Sequence, residues 1–254
     1  MLSHLLASAF HLLTLALLLG PLRLRFWALG SGLLALATHL LVLWQNQLDF
    51  RLLQAVSWVG FGMAVLAAPG LLKARWRVLT AVAAALAALS VLLPLLSPQG
   101  PGSGPRNWQI DLHIALALAA YAALSLATVQ ALLVRHQEQA LRRHQPPLWG
   151  RIALPPLSTT EQQLFRWIQV GFVLLSLTLL SGILFIRDWF TQHLVHKTVL
   201  TLFAWVVFGV LLLGHLTQGW RGRQAARWTL AGMILLLLAF FGSKFVLEVV
   251  LQRG

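Results

Sequence analysis

The chain has 254 residues, is 59% hydrophobic and carries only 10% charged residues. A soluble protein of that length needs a charged shell around its core, so this composition excludes an ordinary globular domain. The net charge of +13 does not mark a nucleic-acid binder, because the basic residues stand singly or in short groups at the ends of apolar runs. The absence of cysteine excludes disulfides, thiolate metal sites and a covalent c-type haem motif in this chain.

Long apolar runs dominate the remainder. A helix needs roughly 20 apolar residues to cross the hydrocarbon layer, and within it every backbone N–H and C=O must be satisfied internally. The alternation of a membrane β-barrel is absent. The expected fold is therefore all-α: a polytopic integral membrane bundle of about eight transmembrane helices, placed near 2–20, 23–44, 52–69, 76–96, 111–134, 164–186, 196–217 and 226–250. The first run starts Met1-Leu2-Ser3-His4 with no basic flank and reads as a span, not as a cleaved signal peptide. The third is short and contains Gly60 and Gly62.

Loop charge orients these spans. Thirteen basic residues fall on one side: Arg23 and Arg25; Lys73, Arg75 and Arg77; five from Arg135 to Arg166; and Arg221, Arg223 and Arg227. Six fall on the other: Arg51, Arg106, Arg187, Lys197, Lys244 and Arg253. The richer side is expected to be cytoplasmic, which places both termini outside the cytoplasm of a bacterial inner membrane. The organisation expected is an N-terminal four-helix segment over 1–96 and a second four-helix core over 97–254 that carries a cytoplasmic loop at 135–163. The Gly- and Pro-rich stretch near 97–110 reads as an irregular outer loop; its glycines lack the flanking strand and helix of a phosphate-binding turn. Pro146-Pro147 and Pro155-Pro156 make the cytoplasmic loop partly extended, and Ser158 with Glu161 fits a capping box for the sixth helix. Six of the eleven tryptophans, Trp44, Trp76, Trp108, Trp149, Trp189 and Trp220, lie near span ends as interfacial anchors.

The chemistry available lies mainly in the histidines. His4, His11, His39, His113, His193 and His196 fall on or toward the outer side; His136, His144 and His215 fall toward the cytoplasm. An imidazole in a bilayer needs a partner, and neutral imidazole is also a common axial ligand of haem iron. His196 and His215 are nineteen residues apart, roughly 28 Å along a helix, so they belong to opposite surfaces. Spacing therefore allows an outer site around His39, His113 and His196 and an inner one at His215. It equally allows each to be an interhelical hydrogen-bonding residue. Lys244 and Glu248, four apart, fit an ion pair, or Lys244 joins Arg106, Arg187 or Lys197 in contacting anionic groups at the interface. No paired carboxylates and no nucleophile–base arrangement stand out, so no enzyme activity is expected.

At the fifth helix, Asn107-Trp108, His113 and Ala120-Tyr121-Ala122-Ala123-Leu124 resemble the NW-x(4)-H-x(7)-YaaL region of the cytochrome c assembly family. These haem-handling membrane proteins include CcsA-like and HemX-like members, and the likeness extends to their small eight-helix, YpjD-like inner-membrane subgroup. It runs over roughly residues 107–247, through VGFVLLSLTLLSGILF, HKTVLTLFAWVVFGVLLLGH and AGMILLLLAFFGSKFV. The resemblance implies binding or trafficking of non-covalent haem b in c-type cytochrome biogenesis. His113 takes the position of an outer haem-iron ligand, and His215 that of the histidine closing the following helix. His196 or His39 is our own candidate for a second ligand, and Arg106, Lys197 and Lys244 for propionate contacts. The family's tryptophan-rich WGxxWxWDPKE segment is reduced here to RDWFTQHLVHK, and no histidine follows the last helix. The resemblance therefore does not extend to a synthetase. Besides haem and the lipid bilayer, a protein partner at the cytoplasmic loop is expected. The alternatives are an accessory membrane partner that regulates a transporter or a biosynthetic enzyme through that loop, and a solute or proton-coupled transporter. The latter is the least expected, because intramembrane charge is sparse and no paired broken-helix signature is present.

Overall fold

The computed structural model describes residues 1–45, 51–96, 107–144, 148–149, 152–185 and 192–242. It is all-helical apart from a two-residue-per-strand antiparallel hairpin, Leu148–Trp149 with Ile152–Ala153. The helices are α1 (Leu2–Leu19), α2 (Arg25–Gln45), α3 (Leu52–Ala67), α4 (Arg77–Ser90), α5 (Trp108–Arg142), α6 (Leu157–Phe185), α7 (Gln192–Gln218) and α8 (Gly222–Leu237). A π-helical turn over Leu238–Gly242 extends α8. Among the described residues seven helical segments are long and apolar enough to cross a membrane. The eighth apolar run, predicted over 226–250, begins with α8 and continues past the described residues.

Two differences from the sequence expectation concern the polar segment. The loop placed at 135–163 is helical at both ends, because α5 runs on to Arg142 and α6 starts at Leu157. The run Gln137-Glu138-Gln139-Ala140-Leu141-Arg142 is made of good helix formers with no Gly or Pro, so the helix outlives the apolar stretch. The expected capping box is also absent. Ser158 lies inside α6, and the Glu161 carboxylate serves another helix, as described below.

The chain divides into two compact units, 1–104 with 140–156, and 105–139 with 157–254. In the first, α1 packs on α2 and α4, and α3 packs on α4 and α2, which closes a four-helix ring. The ring's interior is small and polar. The inward stripe of α1 is His4, Ala7, Ser8, His11, Thr14 and Leu18, spaced three or four apart as one helix face requires. Leu5, Leu6, Leu12 and Leu13 point outward. Such polarity suits lipid, where apolar side chains gain nothing by facing one another and interhelical hydrogen bonds hold the bundle. Gly60 brings α3 against α4: a Cβ there would stand 1.9 Å from Ser90 Oγ. At one end of the ring the Arg77 guanidinium donates to the carbonyls of Leu18 and Gly20, which leave the end of α1 unsatisfied.

In the second unit Tyr121 Oη on α5 donates to Leu236 O on α8 at 2.8 Å. Gln130 Nε2 on α5 donates to Gln163 Oε1 on α6 at 2.5 Å. Trp205 Nε1 on α7 donates to Ser176 Oγ on α6 at 2.8 Å, beside the stacked Phe172 and Trp205 rings. Gly171 and Gly232 admit Leu124 and Phe208 where any larger residue would collide with them.

Candidate haem-handling site

The buried histidines of the first unit, His4, His11 and His39, bond to one another and to neighbouring helices, and of these three only His39 has both ring nitrogens engaged. His4 Nδ1 donates to Val91 O at 2.7 Å. His11 Nε2 and His39 Nδ1 share a hydrogen bond of 3.1 Å, and His39 Nε2 meets Ser57 Oγ at 3.1 Å. Both ring nitrogens of His39 are thus engaged, and Phe61 packs edge-on against its ring. Nearby, Thr14 Oγ1 donates to Ser31 Oγ at 3.0 Å. For His39 this is the interhelical hydrogen-bonding role that spacing alone left level with ligation.

His113 differs. It sits near the start of α5, half-buried, with Nδ1 2.9 Å from Ser181 Oγ on α6. Ser181 spends its own hydroxyl proton on Thr178 O at 2.9 Å. Its oxygen therefore accepts from the imidazole, the proton sits on Nδ1, and Nε2 keeps its lone pair. A neutral ring, fixed in tautomer and direction by a bond through its other nitrogen, is the state a metal-ligating histidine requires. Lys197 on α7 lies close enough to His113 to act on it electrostatically, and its ammonium stands 5.8 Å from the centre of the Phe240 ring. The first turns of α7 and the start of α5 are thereby brought to one end of this unit. His196 occupies the position before Lys197 in α7; its side chain, with that of His193, lies outside the described residues, as do Arg106, Arg187, Lys244 and Glu248.

His215 lies near the other end of α7. Its Nδ1 donates to Trp220 O at 2.9 Å, and its ring stacks on Phe165 with centroids 3.5 Å apart and planes 14° from parallel. Gly214 gives room to the Trp220 ring, which would strike any Cβ at that position. Gly219 and Gly222 both take positive φ in the tight turn joining α7 to α8. His136 and His144 are exposed.

Seven helices long and apolar enough to cross a membrane among the described residues, with a polar interior in the first unit, define a polytopic membrane protein. A family model described as cytochrome C assembly protein matches residues 18–251, and the chain belongs to that family. The match reaches well into the first unit, further than the motif resemblance over roughly 107–247 extended. The chain is 37% identical over 139 residues to the inner membrane protein YpjD of Escherichia coli K12, covering 55% of this chain and 52% of that one. It is 38% identical over 157 residues to an uncharacterized 28.8 kDa protein of Azospirillum brasilense, covering 61% and 57%. To the cytochrome c biogenesis protein CcsA of Prochlorococcus marinus MIT 9303 it is 27% identical over 196 residues, covering 66% and 60%. The chain thus spans between about half and three fifths of the length of these relatives. No solved structure matches it.

Proposed function

We propose that this chain serves c-type cytochrome biogenesis in the bacterial inner membrane by holding haem b non-covalently toward the outer leaflet, with His113 as an axial ligand. The observation that carries the reading is the His113–Ser181 pair, which leaves Nε2 as the ring's lone-pair nitrogen. Family membership and the cytochrome c biogenesis role in the name of the CcsA relative support it. Bound haem would supply an iron centre that takes imidazole nitrogen as a ligand, and His113 would hold it.

The residues divide the work by chemistry. Ser181 holds the His113 ring, so little rotamer freedom is lost on ligation. Lys197 supplies positive charge beside it, suited to a propionate at the water-facing end; Arg106 and Lys244 are proposed for the same task. The second ligand we propose is His196, because its neighbour Lys197 interacts with His113. His39 would have to give up one of its two buried hydrogen bonds to ligate iron. With no cysteine to form thioether links, haem stays transferable, which fits binding and delivery better than bond-making.

The test is an absorption spectrum of detergent-purified, haem-supplemented protein, oxidised and reduced, for wild type, His113→Ala and the exposed-histidine control His136→Ala. A Soret band present in wild type and His136→Ala but shifted or lost in His113→Ala is the expected result. Wild-type protein without haem, or identical spectra for both variants, overturns the assignment.

A further inference from the structure

A separate pocket lies in the second unit at the end where α6 begins, α7 finishes and α8 starts. It has a volume of about 300 Å³ and is lined by Ser158, Glu161, Gln162, Phe165, Arg166, Gln169, His215 and Arg221. The stacked Phe165 and His215 rings form an apolar wall. Arg166 and Arg221 are exposed, and neither guanidinium has a hydrogen bond or ion pair among the described residues. The one carboxylate in the lining, Glu161, is turned to the start of α8, where Oε1 accepts the Gly222 N–H at 2.8 Å. The partial positive charge of that helix end offsets it. Two unpaired guanidiniums with Ser158, Gln162 and Gln169 beside them make a set of donors suited to a phosphate, which arginine binds with a two-pronged fork.

What lies next to the donors decides the source of that phosphate. Along α6 the face carrying Arg166 and Gln169 continues as Val170, Val173, Leu177 and Leu180, all exposed and spaced three or four residues apart. An unpartnered apolar stripe that begins directly at a basic, polar pocket matches an amphiphile with its headgroup in the pocket and its chains along the helix. The pocket also stands where the apolar run of α6 gives way to polar residues, the depth of lipid phosphates. Basic pockets between helix ends on the arginine-rich side of a membrane protein bind anionic headgroups.

We propose that this pocket is a binding site for the phosphate of an anionic phospholipid, held by Arg166 and Arg221 with its acyl chains against Val170, Val173 and Leu177. The site is independent of the haem reading, since neither arginine takes part in it.

The experiment is native mass spectrometry of the full chain released from mixed micelles with equal phosphatidylglycerol and phosphatidylcholine. The variants are Arg166→Gln/Arg221→Gln, Arg221→Gln alone, Arg166→Lys/Arg221→Lys, and Arg135→Gln as an exposed arginine outside the pocket. Each basic residue near an anionic lipid contributes about fivefold in binding, so the pair is worth about 30-fold. Wild type and Arg135→Gln are expected to retain one phosphatidylglycerol with about that preference. The glutamine pair should lose it, with Arg221→Gln and the lysine pair intermediate. Equal retention of the two lipids by wild type overturns the proposal, as does an unchanged preference in the glutamine pair. Displacement of the lipid by inorganic phosphate at equal concentration would show a free-anion site and overturn the lipid assignment.

Discussion

The Glu161 Oε1 atom on α6 accepts the backbone N–H of Gly222, the first residue of α8, at 2.8 Å. From α5, Glu138 Oε1 accepts the next N–H, that of Arg223, at 3.2 Å. Two of only six acidic residues are therefore committed to one helix start, where they satisfy orphan donors and meet the positive end of the helix. Replacing Glu161 by Ala should cost about 1–2 kcal/mol, and by Gln less, because an acceptor remains without its charge. Thermal unfolding in detergent should show the order wild type, Glu161→Gln, Glu161→Ala. An unchanged midpoint in Glu161→Ala would mean that water caps the helix instead.

Gly222 has φ +54°, and a Cβ there would fall 2.0 Å from Glu138 Oε1. Both the left-handed backbone and the displaced carboxylate penalise a side chain. Gly222→Ala should therefore destabilise by roughly 1–2 kcal/mol. Adding Glu138→Ala should recover the steric part only, so the double variant should remain below wild type in the same unfolding measurement.

The same residues show how far the sequence could be read. Hydropathy located the membrane runs because lipid solvates side chains by polarity, and the spacing of His4, Ser8, His11 and Thr14 already marks one face of α1. Helix ends were less legible. Hydropathy falls at Arg135, but backbone geometry continues to Arg142 because nothing in between breaks a helix. Ser158 and Glu161 have capping-box spacing, yet the Glu161 carboxylate finds a free N–H 61 residues away. The His11–His39 and His113–Ser181 pairs join different helices, and no periodicity within one helix encodes such a partner. His113 stood out by motif; the feature that distinguishes it from His39, one committed ring nitrogen against two, exists only in three dimensions.

Ser181 provides a sharper test of the haem reading than removal of the ligand itself. Ser181→Ala leaves the His113 imidazole in place and removes only the acceptor that fixes its proton on Nδ1. Hydrogen-bond partners of metal-bound histidines are typically worth about 10- to 100-fold in affinity, so haem retention should fall by about that factor. Ser181→Thr keeps the hydroxyl and should retain haem near the wild-type level. Equal haem affinity in Ser181→Ala and wild type, measured by titration into apoprotein, would remove Ser181 from the mechanism.

His39 should behave in the opposite way. In His39→Leu the hydrogen bonds to His11 and Ser57 are both lost inside the ring, which leaves two buried polar groups without those partners. Each such group costs about 1–3 kcal/mol, so the variant should unfold at clearly lower temperature while keeping the haem spectrum. Loss of haem with an unchanged unfolding midpoint would instead assign His39 to the iron.

Both termini are expected to face outward, and the geometry within each unit makes that expectation specific. In the second unit the start of α6, the end of α7 and the start of α8 gather at one end, where Arg166 and Arg221 line the pocket and Glu161 and Glu138 accept the first N–H groups of α8. In the first, Arg77 ties the start of α4 to the end of α1, beside Lys73 and Arg75 in the connection from α3. Each unit therefore has an arginine-bearing end, and the thirteen-to-six excess of basic residues predicts that such ends face the cytoplasm. A reporter active only outside the cytoplasm should work when fused after Gly254 and fail when inserted between Arg143 and Pro156. A cytoplasm-only reporter should show the reverse, and protease should reach that segment only in inside-out vesicles. Activity of the external reporter at the internal insertion, with silence at the C-terminus, would invert the molecule and place His113 at the cytoplasmic surface and the arginine pocket outside.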